Sequence, residues 1–156
     1  MRADGRIRLI GASAAHVGRV AYRMREADRL ELAAKGRDPK AALRLSLDGA
    51  SWAMTALLDG VPHAMFGVTP LSLVEDRGMP WFLGSEEVYR HGRIMLATGH
   101  GIIDLMHKTF HRLENFVSAD NDRAIRLLKR WGFTVEGEVM MMGGVPFVQF
   151  WREAHV

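Results

Sequence analysis

A chain of 156 residues and 17.5 kDa has the size of one domain with a hydrophobic core of its own. Hydrophobic residues make up 48% of the chain and charged residues 25%, which excludes a disordered protein. The absence of cysteine excludes disulfides, thiolate metal sites and cysteine nucleophiles. The net charge of +3 comes from scattered basic residues, so we do not expect nucleic-acid binding, which requires clustered charge.

The sequence has no apolar run near the roughly 18 to 20 residues that a membrane-spanning helix requires. Its first twenty residues, MRADGRIRLIGASAAHVGRV, carry charges where a signal peptide needs an unbroken apolar stretch. We therefore expect one domain, residues 1–156, with no membrane span and no export by a signal peptide.

The chain begins with a predicted strand and helix. Residues 6–13, RIRLIGAS, favour a strand that ends at Gly11. Ser13 can then cap a helix that runs through Arg23 or beyond, because its hydroxyl accepts an N–H of the first turn.

A second helix and a hairpin follow. The helical pattern breaks at Gly36 and restarts with Asp38 as the cap and Pro39 at the first helical position. Over residues 51–73, two partly alternating apolar runs flank Asp59-Gly60, which is a strong signal for a two-residue hairpin turn.

The second half of the chain alternates strands and helices. We predict a short buried strand at 79–84, a mostly helical segment at 86–112, a strand at 113–119 and a helix at 122–131. A closing hairpin turns at Gly143-Gly144. The helical segment shows one apolar face at spacings of three, four and seven: Met95, Ile102, Met106, Thr109 and Leu113.

The order β-α-α-β-β-β-α-β-α-β-β predicts an α/β fold, a mixed sheet with helices on its faces. With the pattern N-x-x-A-x-x-L-x-x-x-x-G-F at 121–133, this order resembles the GNAT acetyltransferase superfamily, whose mixed sheet is mostly antiparallel. Further stretches resemble a GNAT-like family of tailed phages, whose members are described as internal virion protein A or as acetyltransferases. They are READRLEL (25–32), DGVPHAMFGVTP (59–70), PWFLG (80–84), LENFVSADN (113–121) and LKRWGF (128–133).

The superfamily resemblance implies a site for acetyl-coenzyme A at the end of the central strand. It places the coenzyme beside Leu83 and Gly84, with Arg90 and Arg93 as cations for its phosphates and Asn121 near its pantetheine. An asparagine before a helix can equally cap that helix, so both roles of Asn121 stay open.

The phosphate cradle of the superfamily departs from its pattern here. That cradle consists of backbone N–H groups at a helix N-terminus, in the pattern Gln/Arg-x-x-Gly-x-Gly/Ala. In this chain the strand is followed by SEEVYRHGRIM, in which Glu86 and Glu87 occupy the first turn and would repel a phosphate. Two glycines in LATGHG (96–101) have a similar spacing, and we interpret them as part of one long helix.

The superfamily resemblance also implies a general acid and a general base. The general acid is often a tyrosine seven residues after the position of Asn121, and here that residue is Leu128. Asp28 and Glu31 are candidates for the general base, because a spacing of three places them on one helical face. Arg25 lies three residues before Asp28, so the alternative is a charge network on a solvated face.

A histidine stripe offers a metal-binding alternative. His107 and His111, at a spacing of four on the predicted helix, could chelate a metal with Asp104 as a third ligand. A solvated polar face would have the same pattern, and we expect no metal.

Two hypotheses follow. The first is a GNAT-fold phage protein with a degenerate acetyltransferase site, which acts in the virion or in assembly. It would bind other phage structural proteins or a second copy, in the virion or the host cytoplasm. The apolar run Met140–Met142 would then be a contact surface if one side of it is exposed. The second hypothesis is an acetyl-coenzyme A-dependent N-acetyltransferase that acts on a small amine or a host protein.

Overall fold

The structure, a computed structural model, describes residues 6–155. Its centre is a seven-stranded sheet with the strand order β1-β2-β3-β4-β5-β7-β6. The pairing is antiparallel throughout, except between β4 and β5. The predicted mixed, mostly antiparallel sheet is therefore confirmed. The strands are β1 Ile7–Gly11, β2 Trp52–Leu58, β3 Val61–Ser72, β4 Arg77–Gly84, β5 Arg112–Ser118, β6 Thr134–Met142 and β7 Val145–Glu153.

Helices cover both faces of the sheet. Within residues 6–155 they are α1 Val17–Arg23, α2 Glu26–Ala34, α3 Pro39–Gly49, α4 Glu86–Tyr89, α5 Gly92–Thr109 and α6 Asp122–Arg130. On one face, α1, α2 and α3 pack with Met65 and Trp81 of the sheet. On the other face, α5 and α6 pack with Val68, Leu113 and Phe150. No helix in this part of the chain is long and apolar enough to cross a membrane.

The predicted turns and caps occur where the local sequence favours them. Asp59 and Gly60 join β2 to β3 with φ values of 51° and 79°, the backbone that a tight hairpin with right-twisted strands requires. Gly143 and Gly144 join β6 to β7, also with positive φ. Asp38 caps α3, since its carboxylate accepts a hydrogen bond of 3.1 Å from Ala41 N.

The first helical region consists of two helices, α1 and α2, where one was predicted before the break at Gly36. Ser13 precedes a 3-10 turn at Ala14–His16, and α1 ends at Arg23, within the predicted bounds. The chain is extended at Met24, and Arg25 N then donates a hydrogen bond of 2.9 Å to the carbonyl of Gly84 at the end of β4. This contact with the sheet separates α1 from α2.

The predicted helical segment 86–112 is two helices, with a break between Tyr89 and Gly92. The predicted apolar face is wrong at its end, because Thr109 is exposed and Leu113 lies in β5. Phe110 takes an extended backbone and is buried in the core, so the helix ends before it.

The glycines of LATGHG lie within the continuous helix α5, as predicted. A Cβ on Gly99 would clash with the indole ring of Trp131, which follows α6, whereas a Cβ on Gly101 would meet open space. Trp131 Nε1 also donates a hydrogen bond of 3.0 Å to Leu96 O. Gly99 therefore serves close packing of the Trp131 ring against α5.

The sheet opens in its middle. Pairing between β4 and β5 is limited to Arg77 with Arg112 and Gly78 with Leu113. Beyond these residues β4 pairs only with β3, and β5 pairs only with β7, among the described strands. The two strands diverge and leave a cleft between them.

Candidate active site

The cleft between β4 and β5 is bordered by the unpaired side of β4. Asn115 Nδ2 donates a hydrogen bond of 2.8 Å to Pro80 O, and Gly84 N donates one of 3.0 Å to Asp28 Oδ2. The Pro80 carbonyl oxygen and the Gly84 N–H therefore point away from β3. Because peptide groups alternate in direction along an antiparallel strand, the N–H and C=O of Phe82, midway between them, point to the same side.

The cleft contains a cavity of about 290 Å³ that is open to solvent on one side. Its lining residues come from β4, β5 and β7 and from α2, α3, α5 and α6, together with Tyr89 of α4. The polar members include Asp28, Glu31, Lys35, Tyr89, Asn115 and Asn121, and the apolar ones include Leu83, Phe82 and Leu128. Of the residues that we predicted at the site, Asp28, Glu31, Leu83 and Asn121 therefore lie together.

Arg25 and Asp28 form a buried ion pair behind this cavity. Their exposed fractions are 4% and 5%, so the interpretation as a solvated charge network is wrong. Arg25 Nε donates to Asp28 Oδ1 at 3.2 Å, and Arg25 Nη2 donates to Asn121 Oδ1 at 2.9 Å. The pair connects α2 with the end of β4 and the start of α6, because Gly84 and Asn121 supply the other contacts.

Burial changes the protonation of two side chains in this network. It raises the pKa of Asp28 to about 6, although the Arg25 guanidinium and the Gly84 N–H act in the opposite direction. Burial also raises the pKa of the Tyr89 phenol, which makes it a weaker acid than an exposed tyrosine.

Glu31 of α2 and Asn121, which precedes α6, form a hydrogen bond with each other in the cleft. Glu31 Oε2 accepts hydrogen bonds from Asn121 Nδ2 at 2.8 Å and from Ser118 N at 3.3 Å. Within residues 6–155, Glu31 Oε1 accepts no hydrogen bond, which leaves this oxygen available to a ligand. Asn121 also caps α6, since its Oδ1 accepts from Ala124 N at 3.4 Å. Capping and a place in the cleft are therefore compatible.

A carboxylate occupies the end of the cleft at which the sequence resemblance implies phosphates. Ser85 caps α4 by accepting a hydrogen bond of 3.2 Å from Val88 N. Glu86 lies between two guanidinium groups, 3.2 Å from Arg123 Nη1 and 3.7 Å from Arg25 Nη1. The side chains of Glu86 and Arg123 are about half exposed.

Arg90 and Arg93 are both exposed, and neither lines the cavity. Gly84 does not line it either, and its N–H is bonded to Asp28. A role for these three residues in coenzyme binding stays a prediction.

Tyr89 is a residue of the site that the sequence did not indicate. It lies on α4, far along the chain from the position of Leu128, yet both line the same cavity. The Arg25 guanidinium carbon is 3.9 Å from the centre of the Tyr89 ring, and Phe82 packs edge-on against it at 5.8 Å. Only the folded arrangement of α2, α4 and α6 places this phenol beside the carboxylates.

The metal-binding alternative is wrong. Helix α5 ends at Thr109, so His111 no longer shares a helical face with His107 and Asp104. His107 Nδ1 instead lies 3.0 Å from Phe110 O. Between residues 6 and 155 there is no group of three or more metal-ligating side chains placed to hold an ion.

The chain is similar over nearly its whole length to solved acetyltransferase structures. It matches a candidate phosphinothricin N-acetyltransferase with a TM-score of 0.72 at 14% identity, covering 96% of this chain and 99% of that chain. It matches spermidine N-acetyltransferase from Vibrio cholerae, in complex with CoA and spermine, with a TM-score of 0.68 at 11% identity and 96% of each chain covered. It matches ribosomal-protein-alanine N-acetyltransferase from Brucella melitensis with a TM-score of 0.68 at 15% identity, covering 94% of this chain and 99% of that chain.

No protein-family model matches the sequence, and no curated protein does. At such low identities the structural likeness shows the fold alone. The chain has the GNAT acetyltransferase fold.

Proposed function

We propose that this protein is an N-acetyltransferase that uses acetyl-coenzyme A and acts on an amine. The observation that carries the proposal is the cavity of about 290 Å³ where β4 and β5 diverge, with Glu31 on its wall. A carboxylate with one oxygen available to a ligand, beside a strand whose peptide groups face the same space, suits acyl transfer to an amine.

The residues at the cleft fit the thioester arm of the coenzyme. An extended chain that contains amides can hydrogen-bond to the side of a strand that has lost its neighbour, here at Phe82. Trp81 also lines the cavity, and its indole N–H is buried without a hydrogen-bond partner among residues 6–155. A buried donor of this kind is stabilised by a ligand carbonyl. The phosphates would meet Arg123 and Arg25 instead of glycine amides.

Each side chain of the site has a defined part. Acetyl-coenzyme A supplies the acetyl group as a thioester when bound. Glu31 accepts the proton that the attacking amine loses, through its Oε1. Asp28 acts as a positioning residue, because both of its oxygens are engaged by Arg25 and Gly84. Tyr89 lines the same cavity as Leu128 and is the proton donor that the superfamily position Leu128 lacks.

The test compares Glu31→Gln with Glu26→Gln, an exposed carboxylate on the same helix. We expect Glu31→Gln to lower kcat about 100-fold or more, which is the usual contribution of a general base. The dissociation constant for acetyl-coenzyme A, measured by calorimetry, should change by less than about threefold, because proton transfer is not binding. Glu26→Gln should leave both quantities unchanged. Wild-type protein that neither binds acetyl-coenzyme A nor acetylates any amine in a polyamine and peptide panel would contradict the proposal.

A second candidate is a phage accessory protein that acts by binding, with other virion proteins or a second copy as its partner. It is supported by the carboxylate Glu86 at the phosphate end and by an exposed apolar stretch on the edge strand β6, formed by Val139, Met140 and Met141. Sedimentation of the wild type and of Met141→Lys tests self-association. If the protein is a monomer at all concentrations, a second copy is not its partner. Another virion protein would then be the partner under this proposal.

A further inference from the structure

A second cavity of about 150 Å³ lies between the sheet and α5, on the face opposite α1–α3. Its walls come from β1, β2, β3, β4 and β7, from α4, α5 and α6, and from residues after α6. The lining residues are apolar except for His91 and Thr98. Ile94, Met95 and Ile102 of α5 form one side, and Ala56 and Phe66 of the sheet form the other.

Part of this cavity is open to solvent, so its apolar walls face water. Burial of such walls by an apolar group is favourable, because apolar surface is removed from water. An apolar cavity of roughly 150 Å³ is large enough to bind benzene, so a hydrocarbon group of about six carbons fits a space of this volume.

The apolar cavity adjoins the proposed active site. The two cavities share seven lining residues, which are Pro80, Trp81, Phe82, Met95, Leu128, Trp131 and Phe150. Leu128 stands where the superfamily resemblance implies a phenol, so the shared wall is apolar at that point. Met95 is unbranched and flexible, which allows the wall to open without loss of backbone structure.

We propose that this apolar cavity receives the hydrocarbon tail of an acyl group longer than acetyl, so that the preferred donor is a medium-chain acyl thioester. The inference rests on the proposed function, because it uses the same cleft for the thioester. The reaction is unchanged in kind: the C–S bond of the thioester breaks and the C–N bond of the amide forms. The amine proton goes to Glu31, and the coenzyme leaves as a thiolate that takes a proton from Tyr89.

The first experiment measures binding of acetyl-, butanoyl-, hexanoyl- and octanoyl-coenzyme A by calorimetry. Each methylene that leaves water for an apolar site tightens binding about fourfold at most. We expect hexanoyl-coenzyme A to bind at least about tenfold more tightly than acetyl-coenzyme A. Equal affinities along the series would overturn the inference and leave the proposed acetyl transfer intact.

Cavity-filling variants supply the second arm. Ala56→Leu adds bulk from β2, and Ile94→Phe adds it from α5, so one serves if the other fails to fold. Neither residue lines the active-site cavity. We expect either variant to lose the preference for hexanoyl-coenzyme A while its affinity for acetyl-coenzyme A stays within about twofold. A variant that keeps the full preference would also overturn the inference.

A probe without coenzyme separates this inference from the proposed function. Sodium hexanoate should raise the unfolding temperature of the wild type and not that of Ala56→Leu. If no thioester binds, the proposed function fails, and the inference is then tested by hexanoate alone. Stabilisation by hexanoate that Ala56→Leu abolishes would support the cavity as a site for an acyl chain. No stabilisation by hexanoate would overturn the inference.

Discussion

Two carboxylates on α2 have different surroundings, although only three residues separate them. Both oxygens of Asp28 accept hydrogen bonds, one from Arg25 Nε and one from Gly84 N. Only Oε2 of Glu31 is engaged among the described residues. Asp28 therefore fixes α2 to β4, whereas Glu31 can exchange a proton with a ligand. Removal of Asp28 alone would leave the Arg25 charge buried without its closest carboxylate, which commonly costs about 3–5 kcal/mol.

The buried state of Asp28 predicts a particular pH dependence. Its pKa is about 6 in the folded protein and 3.8 as the ordinary value. Between these values the folded state binds more protons than the unfolded state, so the stability contribution of Asp28 is full below pH 3.8 and falls as pH rises to 6. Relative to Asp28→Asn, which cannot titrate, the wild type should lose about 3 kcal/mol over this interval.

Urea denaturation at several pH values from about 3.5 to about 7 measures this difference. Asp48→Asn on α3, at an exposed position, is the control and should follow the wild type. If the stabilities of the wild type and Asp28→Asn change in parallel with pH, the pKa of the Asp28 carboxyl is not raised by folding.

Glu86 is expected to compete with the phosphates of a coenzyme, because it occupies the space between Arg25 and Arg123. Glu86→Gln removes this negative charge and should tighten binding of acetyl-coenzyme A about threefold to tenfold at low salt. Glu87→Gln, at an exposed position in the same turn, is the matched control and should change binding by less than about twofold.

Calorimetry at two salt concentrations completes this test, since salt screens exposed charges. The gain from Glu86→Gln should shrink at high salt. A gain of equal size from both variants would mean that net charge, and not the arginine pair, attracts the coenzyme.

At the scale of elements, the contact between α5 and Trp131 depends on one glycine. Gly99→Ala would place a methyl group in the space of the indole ring, and we expect it to destabilise the protein by about 1–3 kcal/mol. Gly101→Ala, on the same helix, has open space around it and should stabilise the protein by about 0.5–1 kcal/mol. Urea denaturation measures both changes. Stabilisation by both variants would contradict the packing role of Gly99.

At the scale of the whole molecule, the sheet consists of two parts that meet at few hydrogen bonds. Strands β1–β4 form one part and β5, β7 and β6 the other, and β4 and β5 pair at only two positions. The contacts of Arg25 and Asp28 with Gly84 and Asn121 join the two parts across the cleft. A ligand in the cleft would contact both parts.

Such a ligand should stabilise the whole molecule. Acetyl-coenzyme A at a hundredfold excess over its dissociation constant should raise the free energy of unfolding by about 2.7 kcal/mol, if it binds the folded state alone. The rise is measured as a shift in the urea midpoint. ADP, which lacks the pantetheine arm, is the control ligand and should give a smaller shift. Equal shifts would place the arm outside the cleft.

The turns and caps that depend only on neighbouring residues were predicted correctly. The turn at Asp59-Gly60, the cap at Asp38 and the hairpin at Gly143-Gly144 depend on the conformations of two or three neighbouring residues. The surroundings of Asp28 could not be predicted in this way, because its partner Gly84 lies 56 residues further along the chain. The phage origin and a place in the virion stay predictions, since they depend on partners and not on the fold.

The sequence by itself determined the order of the strands along the chain and the fold class, because hydrophobic periodicity and turn residues act over short distances. It also identified Asp28, Glu31 and Asn121 as residues of interest. Only the tertiary structure decided that Arg25 and Asp28 are buried, that Tyr89 borders the same cavity as Leu128, and that a second apolar cavity adjoins it. The physical reason is that burial, pKa shifts and cavities arise from elements that are distant in sequence and meet only on folding.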